Sequence, residues 1–532
     1  MTLAWLLACT GNTADPLTVR VADYVLNLVP VVPTNQSPFS RVDRLELVLD
    51  DGQGNAETLS LSLPASGESS AVADLPALDN TTITVSGYEL GTLVAWGKSP
   101  PVTADTGTVD VPIFVATPRE MARFGGLTDG VTASAGASLG DGRFLMLGGF
   151  GNRSTGGLGD ALDLTGLIDL GVPNEDLSFE PGAVTLPAYT DGNGVEHEER
   201  GGATLTALTS GPQKGQFLYV GGGATDPGRD GTTITPEVRY FDPEDLSFSE
   251  PLPTRDALAV PRSLHAASAN TDGAVLVWGG WGVTSSRSQI WNVTTGEFFV
   301  AAEEKFTDVY GPDDAGGVGS ALADLGDDGT MVCGGIHVDD YDSDTVAEWK
   351  LTDACFRVNL RGEDAEELFP GLPKIAAQTL VALPDGDVLS FGGVASTATL
   401  EFTDTTPATS AVYRYYHGSH TWTQVGNMLL DRAAATAVLV DETTVVIAGG
   451  SESWGPLATA DQALSCVEVY DSVANTSEMV GECDEGDENA GLPNRAESPL
   501  AMVEPGLGVL FAGGVDGNNG AQDGVAFYLF GR

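Results

Sequence analysis

Short apolar runs, each cut off by a doubled glycine, punctuate this chain at nearly even intervals. The runs are Phe144 to Leu147, Phe217 to Val220, Val275 to Trp278, Met331 to Cys333, Val388 to Phe391, Val445 to Ala448 and Val509 to Ala512. The glycine that ends each run is Gly148, Gly221, Gly279, Gly334, Gly392, Gly449 or Gly513, and its second member is Gly149, Gly222, Gly280, Gly335, Gly393, Gly450 or Gly514 in the same order. Successive pairs lie 73, 58, 55, 58, 57 and 64 residues apart, a period that marks repeated supersecondary units. Ahead of each run stands a small or apolar strand and then a turn. The turn is Asp141 and Gly142, Lys214 and Gly215, Asp272 and Gly273, Asp328 and Gly329, and Asp385 and Gly386 in the first five copies. The last two copies use Asp441 with Glu442 and Pro505 with Gly506. Two apolar strands around a tight turn make a β-hairpin. Unbroken apolarity predicts that the second strand is buried on both faces. The glycines allow positive φ and close approach where that strand ends. Downstream, aromatic residues seven apart predict a second hairpin with its rings on outer strands. They are Phe241 and Phe248, Trp291 and Phe298, Trp349 and Phe356, and Tyr415 and Trp422. Each repeat is therefore expected to be a four-stranded antiparallel sheet.

Four apolar residues, a glycine pair, a variable loop, then Tyr or a stand-in with Trp seven residues later: this pattern resembles the kelch family, and Val388 to Trp422 matches it best. The resemblance covers about Glu120 to Arg532 and implies an all-β, seven-bladed kelch-type β-propeller over residues 118–532. Two departures stand out: an insertion from Leu164 to Phe179 in the first repeat, and Ser477 where the sixth should carry an aromatic. The last repeat has one strand after its glycine pair, Val525 to Phe530. Glu120 to Phe124 is placed to supply the missing outer strand and close the ring, removing an open edge.

Alternating segments such as Leu45 to Leu49, Thr58 to Leu63, Thr82 to Val85, Thr92 to Trp96 and Val109 to Phe114 predict an N-terminal β-sandwich over residues 16–117, immunoglobulin-like or prealbumin-like. It would serve as a spacer. Residues 1–15 read as a signal remnant and linker: Leu6 to Cys9 resembles a bacterial lipobox, with Cys9 the lipidated residue. The short apolar stretch and the missing basic region fit a start assigned too far downstream.

Composition narrows the setting. The 532 residues carry 75 Asp+Glu against 24 Lys+Arg, a formal charge of −51, with 68 Gly, 29 Pro and 42% hydrophobic residues. So acidic a surface repels polyanions, which excludes nucleic acid as a partner. It suits a soluble exported protein, in the cell envelope as an outer-membrane lipoprotein or secreted, and monomeric. Beyond Cys9, the cysteines are Cys333, Cys355, Cys466 and Cys483, in neither CxxC nor Cys/His spacing, so zinc is not expected. An even number in an exported chain favours disulfides. Cys466 and Cys483 reach the same end of adjacent strands and look bridgeable. Cys333 and Cys355 are left by elimination. An intervening strand would hold them about 9.5 Å apart, so two free thiols are the alternative.

Chemistry is the faintest signal. In a four-strand meander the loops after the glycine pairs and the loops between repeats share one face, where function usually sits. That face should present Phe150, Trp281, His337 and Trp454. It should also present a basic set, Arg200, Arg262, Lys374, Arg432 and Arg495, lying 21, 17, 18, 17 and 18 residues before their glycine pairs. These either converge on a carboxylate or sugar, with the two Trp as stacking platforms, or bond to carbonyls and acidic neighbours between sheets. Repetition favours the second. Kelch-like propellers of the galactose oxidase type hold copper through two Tyr and two His, one Tyr crosslinked to Cys. Here His265 falls in a first strand, and His417 and His420 on the opposite face. That leaves only His337, with His197, near the loops, so no metal site is expected. Asp339 to Asp344, Asp484 to Glu488 and Asp516 to Asn519 are oxygen-rich and suit calcium, without an EF-hand pattern; solvated loops are the alternative. No cofactor is otherwise implied. The resulting expectation is a non-catalytic module that binds a protein or glycan at the cell surface, the alternative being a carbohydrate-directed enzyme on the same propeller.

Overall fold

The structure is a computed structural model. It describes residues 4–5, 17–20, 24–31 and 42–530, except 52–55, 63–67, 70–77, 105–106, 141, 153–158, 172–176, 192–193, 226–232, 255, 284–289, 339–347, 360–364, 366–368, 402–403, 456–461, 482–490 and 517–519. Cys9, Cys483 and most of the three acidic stretches lie outside the described residues. The fold is all-β: apart from one 3-10 turn, Gly326–Asp328, the described secondary structure is strand. No helix among the described residues is long and apolar enough to cross a membrane.

Among the described residues, seven sheets follow one another along the repeat region, and each glycine pair ends the second strand of one of them. Sheet 1 is Ala135–Ser138, Arg143–Leu147, Thr165–Asp169 and Glu180–Pro181; sheet 2 is Thr204–Ala207, Phe217–Val220, Val238–Asp242 and Ser247–Phe248. Sheet 3 is Ala266–Ala269, Val275–Trp278, Thr295–Val300 and Lys305–Tyr310; sheet 4 has Ala321–Asp324, Thr330–Cys333 and Cys355–Val358. Sheet 5 is Thr379–Ala382, Val388–Phe391, Thr409–Tyr416 and Thr421–Arg432; sheet 6 is Thr436–Leu439, Thr444–Ala448, Val467–Asp471 and Thr476–Met479. Sheet 7 is Leu500–Glu504, Gly508–Ala512 and Val525–Leu529, completed by Met121–Arg123. The first strand of each sheet lies against that of the next, and that of sheet 7 lies against that of sheet 1. This is a β-propeller-like ring.

The glycine pairs join one sheet to the next. The first members (Gly148, Gly221, Gly279, Gly334, Gly392, Gly449, Gly513) have φ between 57° and 71°. The second members (Gly149, Gly222, Gly280, Gly335, Gly393, Gly450, Gly514) have φ between 83° and 114°, a backbone that side chains other than hydrogen resist. That turn aims the amide of the second glycine across the seam. Gly149 donates to the Arg200 carbonyl, Gly222 to Arg262, Gly335 to Ile375, Gly393 to Arg432, Gly450 to Ala496 and Gly514 to Val131, each in the following repeat. The glycines thus belong to the framework of the ring.

The second strands of sheets 2 to 5 are buried at every position, as unbroken apolarity predicts. Separate apolar clusters fill the seams between successive sheets, such as Leu145 and Leu147 against Phe217 and Tyr219, or Phe391 against Ile447 and Tyr470. Closure is by the expected strand: Met121, Ala122 and Arg123 stand opposite Tyr528, Phe527 and Ala526. At that seam the Phe527 ring lies 5.1 Å from Phe114, 5.6 Å from Phe124 and 6.0 Å from Phe144.

The second hairpin matches the expectation in sheets 2 and 5, where Phe241 faces Phe248 and Tyr415 faces Trp422. Sheets 3 and 4 differ. Trp291 and Trp349 sit in separate short strands, Ile290–Asn292 and Glu348–Leu351, outside the main sheets, while Phe298 and Phe356 lie on third strands. The seven-residue spacing cannot distinguish a hairpin from a short strand followed by a sheet strand. The same ambiguity makes two cysteines look distant in the sequence. Cys355 is directly opposite Cys333, with Cα atoms 4.0 Å apart, and the two form a disulfide. Cys466 is also disulfide-bonded; its expected partner, Cys483, is outside the described residues.

Where a two-sheet sandwich is expected, eight of the described N-terminal strands join in one hydrogen-bonded sheet, and Ala4–Trp5 pairs separately with Glu68–Ser69. The order of the larger sheet is Leu17–Arg20, Tyr24–Val31, Gly107–Ala116, Thr92–Lys98, Leu78–Glu89, Arg44–Asp50 and Ala56–Ser62, with Val102–Ala104 beside Leu78–Glu89. Tyr24–Val31 and Gly107–Ala116 run parallel. Trp96, Phe114 and Ala116 pack into the seam between sheets 7 and 1.

His265 is buried between sheets 2 and 3, its Nε2 2.9 Å from Thr204 Oγ1. Burial first, and then the Arg262 charge, push its pKa down to about 3. Above pH 6.5 the ring is neutral both folded and unfolded. As pH falls below 6.5 the unfolded chain takes up a proton that the folded chain refuses, so stability drops by roughly 1.4 kcal/mol per pH unit toward pH 3. His265→Gln, the residue Gln378 supplies at the corresponding place in sheet 5, should remove this component. Urea titrations at about pH 7 and about pH 4.5 should show a wild-type loss larger than that of the variant by about 2–3 kcal/mol.

Candidate functional site

The loop face is organised by a backbone collar. Residues just after the glycine pairs bond to residues just before the first strands: Phe150 with Thr132, Gly223 with Gly201, Trp281 with Ser263, Ile336 with Val318, Val394 with Ala376, Ser451 with Ala433, and Val515 with Glu497. The next residue in each repeat (Ala133, Gly202, Leu264, Gly319, Ala377, Ala434, Ser498) has φ between 50° and 74°. In five of them the amide donates to the carbonyl of its counterpart in the preceding repeat, as Leu264 does to Gly202 and Ala434 does to Ala377. A left-handed turn is what aims those amides around the ring.

The collar accounts for most of the loop-face aromatics. Phe150 and Trp281 are buried within it. Trp454 is half-buried, edge-on to Trp349 at 6.3 Å. His337 is half-buried with Nδ1 3.2 Å from the Ala315 carbonyl. Phe150 and Trp281 therefore stand as core of the loop face, and Trp281 is not an open stacking platform.

The basic set does not converge either. Arg262 and Arg432 are wholly buried, each inside its own repeat. Arg262 donates to Glu297 (2.7 Å) and to the carbonyls of Gly279 and Thr295. Arg432 donates to Glu468 (2.8 and 3.1 Å) and to the carbonyls of Gly449 and Cys466. The same carboxylates accept backbone amides, Ala259 and Val260 at Glu297, Leu429 and Leu430 at Glu468. Desolvation lowers the pKa of both guanidiniums, while the adjacent carboxylates raise it. Arg200 is equally buried and meets Glu237 at 2.8 Å. Lys374 and Arg495 are exposed. For the three buried arginines the reading of a ligand-binding set is corrected: a guanidinium shut inside a sheet serves the repeat.

One loop-face cluster breaks the repeat. Between sheets 1 and 2 a small hairpin, Tyr189–Thr190 with Glu196–His197, sets Tyr189 opposite His197 with their rings stacked at 5.3 Å. Asp191, at its turn, accepts the Val195 amide through Oδ1 (2.9 Å) and meets His197 Nε2 through Oδ2 (3.3 Å). On the other side His197 Nδ1 lies 3.6 Å from Glu199. The side chains of Asp191, His197 and Glu199 are 4%, 14% and 41% exposed, so the imidazole bridges a buried carboxylate and a wet one. The Tyr189 hydroxyl donates to the Thr233 carbonyl, its ring lies 4.6 Å from the Arg200 guanidinium, and burial raises its pKa. A buried carboxylate on one ring nitrogen fixes the tautomer and leaves the other nitrogen to exchange protons. Sequence reasoning puts His197 near this face but misses Tyr189, Asp191 and Glu199. The available signal is the run Asp191, Gly192, Asn193, Gly194, a turn between two short extended segments.

The copper of the galactose oxidase type does not fit these residues. Among the described residues no group of three His, Cys, Asp or Glu is arranged to hold a metal. His417 and His420 share one turn with ring centroids 5.9 Å apart, His197, His265 and His337 lie in other repeats, and Cys333, Cys355 and Cys466 are in disulfides. His420, on the turn face, contacts Tyr415 at 3.1 Å.

No family model and no curated protein matches the chain. Among solved structures it is similar to YjhT, at 13% identity and a TM-score of 0.42, covering 67% of this chain and 99% of that one. It is also similar to a fungal alcohol oxidase of the AA5 family in complex with copper, at 14% identity and a TM-score of 0.48, covering 77% of this chain and 75% of that one. These likenesses concern fold alone. The second is described as an oxidase, and the expectation of a non-catalytic module is withdrawn.

Proposed function

We propose that the chain is a seven-bladed kelch-type propeller that acts as an enzyme on a neutral carbohydrate at its loop face. His197 serves as the proton-transferring group and Asp191 as its orienting partner. The observation that carries this is the imidazole held between Asp191 and Glu199 in the one interrepeat hairpin of its kind among the described residues. The net charge of −51 favours a neutral glycan over a polyanionic one. The lipobox-like Leu6 to Cys9 and the disulfides support export, with Cys9 as a lipid anchor and the N-terminal sheet as a spacer.

The test is turnover of a panel of neutral oligosaccharides, followed chromatographically, by wild type and His197→Asn. The expected result is product formation that falls about 100-fold or more in the variant, with an unchanged melting midpoint. Turnover indifferent to His197, or none on any neutral glycan, would overturn the reading.

A further inference from the structure

The seam between sheets 6 and 7 is filled differently from the others. In sheets 2, 3 and 5 the third and fourth strands set one aromatic opposite another: Phe241 and Phe248, Phe299 and Phe306, Tyr415 and Trp422. These rings pack into the seam with the preceding sheet. Sheet 6 has Ser477 opposite Tyr470, and Met428 of sheet 5 joins that seam instead. In sheet 7 the residue opposite Tyr528 is Met121, on a closing strand of three residues. There a cleft of about 350 Å³ opens between sheets 6 and 7, reaching Asp441 on the turn face.

The two walls of this cleft carry opposite chemistry. The sheet 7 wall has Tyr528, Phe530 and Arg119, whose amide donates to the Leu529 carbonyl. Tyr528 is 3% exposed, yet its hydroxyl has no hydrogen-bond partner among the described residues. The hydroxyls of Tyr189, Tyr240, Tyr415 and Tyr470 all have one. Burial, opposed by the Arg119 charge, pushes the Tyr528 pKa up to about 12, so the phenol is a donor at neutral pH. The Arg119 side chain is exposed and makes no ion pair among the described residues. The sheet 6 wall offers acceptors. Asp471 stands in one row with Thr444 and Thr476, and Asp441 lies at the turn. The amides of Thr443 and Thr444 hold Asp441 through Oδ1, and those of Val473 and Ala474 hold Asp471 through Oδ1, which fixes both carboxylates. Val469 and Val480 add an apolar patch. A buried phenol without a partner is costly unless a polar group meets it. A donor wall facing an acceptor wall selects a molecule with an anion at one end and a cation at the other.

We propose that this cleft binds a free α-amino acid with an apolar side chain. Its carboxylate accepts from Arg119 and the Tyr528 hydroxyl, and its ammonium donates to Asp441 and Asp471. Its side chain lies against Val469, Val480 and Phe530. This does not rest on the carbohydrate reading, whose residues lie on the loop face. The experiment is a melting titration of the full chain with L-leucine and L-phenylalanine at constant pH and ionic strength. Leucinamide, which lacks the carboxylate, and N-acetyl-leucine, which lacks the ammonium, are titrated beside them. A saturable rise in midpoint is expected with the free amino acids, and each derivative should need about tenfold more for the same rise. Tyr528→Phe keeps the ring and should melt as wild type without ligand, because the hydroxyl has no partner to lose. It should require about tenfold more amino acid for the same rise. Arg119→Gln, at an exposed position, should weaken the response by a similar factor. No saturable response to either amino acid, a response to leucinamide equal to that to L-leucine, or an unchanged response in both variants would each overturn the proposal.

Discussion

Glu468→Ala should lower the unfolding free energy by about 3–5 kcal/mol, among the largest single-residue effects in the molecule. Glu468 and Arg432 are both 0% exposed. Removing the carboxylate leaves a buried guanidinium charge with only two carbonyls for company. It also strands the amides of Leu429 and Leu430 and the Ser477 hydroxyl, all of which donate to it. An apolar double replacement, Arg432→Met with Glu468→Leu, should restore only part of the loss. The surplus charge disappears in that variant, but the two amides still lack an acceptor. Denaturant midpoints of the single and double variants check this. A double variant as stable as wild type would show that the amides find water and that the carboxylate matters only as a counter-ion.

Ala122→Pro should cost about 3 kcal/mol or more and expose an edge on sheet 7. Ala122 is fully buried and faces Phe527, and the pairing of Met121–Arg123 with Val525–Leu529 is where the two ends of the repeat region join in a single sheet. A proline there removes a ladder donor and pushes the closing strand away from the Phe114, Phe124 and Phe144 rings around Phe527. Thr307→Pro, on the exposed outer strand of sheet 3, is the control and should cost clearly less. Size-exclusion chromatography should show higher-order species for Ala122→Pro alone, since an unpaired edge is a template for another chain.

These two sites also show what a sequence discloses. The glycine pairs are legible because a strand buried on both faces is apolar throughout, and because the turn into the collar needs positive φ at its end. The closing strand is legible by counting, one strand short at one end and one to spare at the other. The short strands holding Trp291 and Trp349 are not: aromatic spacing alone does not tell a collar strand from a sheet strand, and the direct pairing of Cys333 with Cys355 is obscured with them. The arginines repeat visibly, but their partners do not announce themselves, because Glu297 and Glu468 lie 18 and 19 residues after the first glycine of their pairs among 75 acidic residues. The cluster of Asp191, His197 and Glu199 depends on one hairpin turn in a single interrepeat loop, so no repetition draws attention to it.

The ring must close for the loops of all seven sheets to form one surface, and an engineered crosslink tests closure directly. The Phe124 amide donates to the Val525 carbonyl, which makes Arg123 and Ala526, one step along, a close non-hydrogen-bonded pair. Under mild oxidation, Arg123→Cys combined with Ala526→Cys should yield a disulfide between these two positions, found by mass spectrometry as one linked peptide pair within a monomer. Two thiols that stay open to alkylation, or a link formed only between chains, would contradict a closed ring.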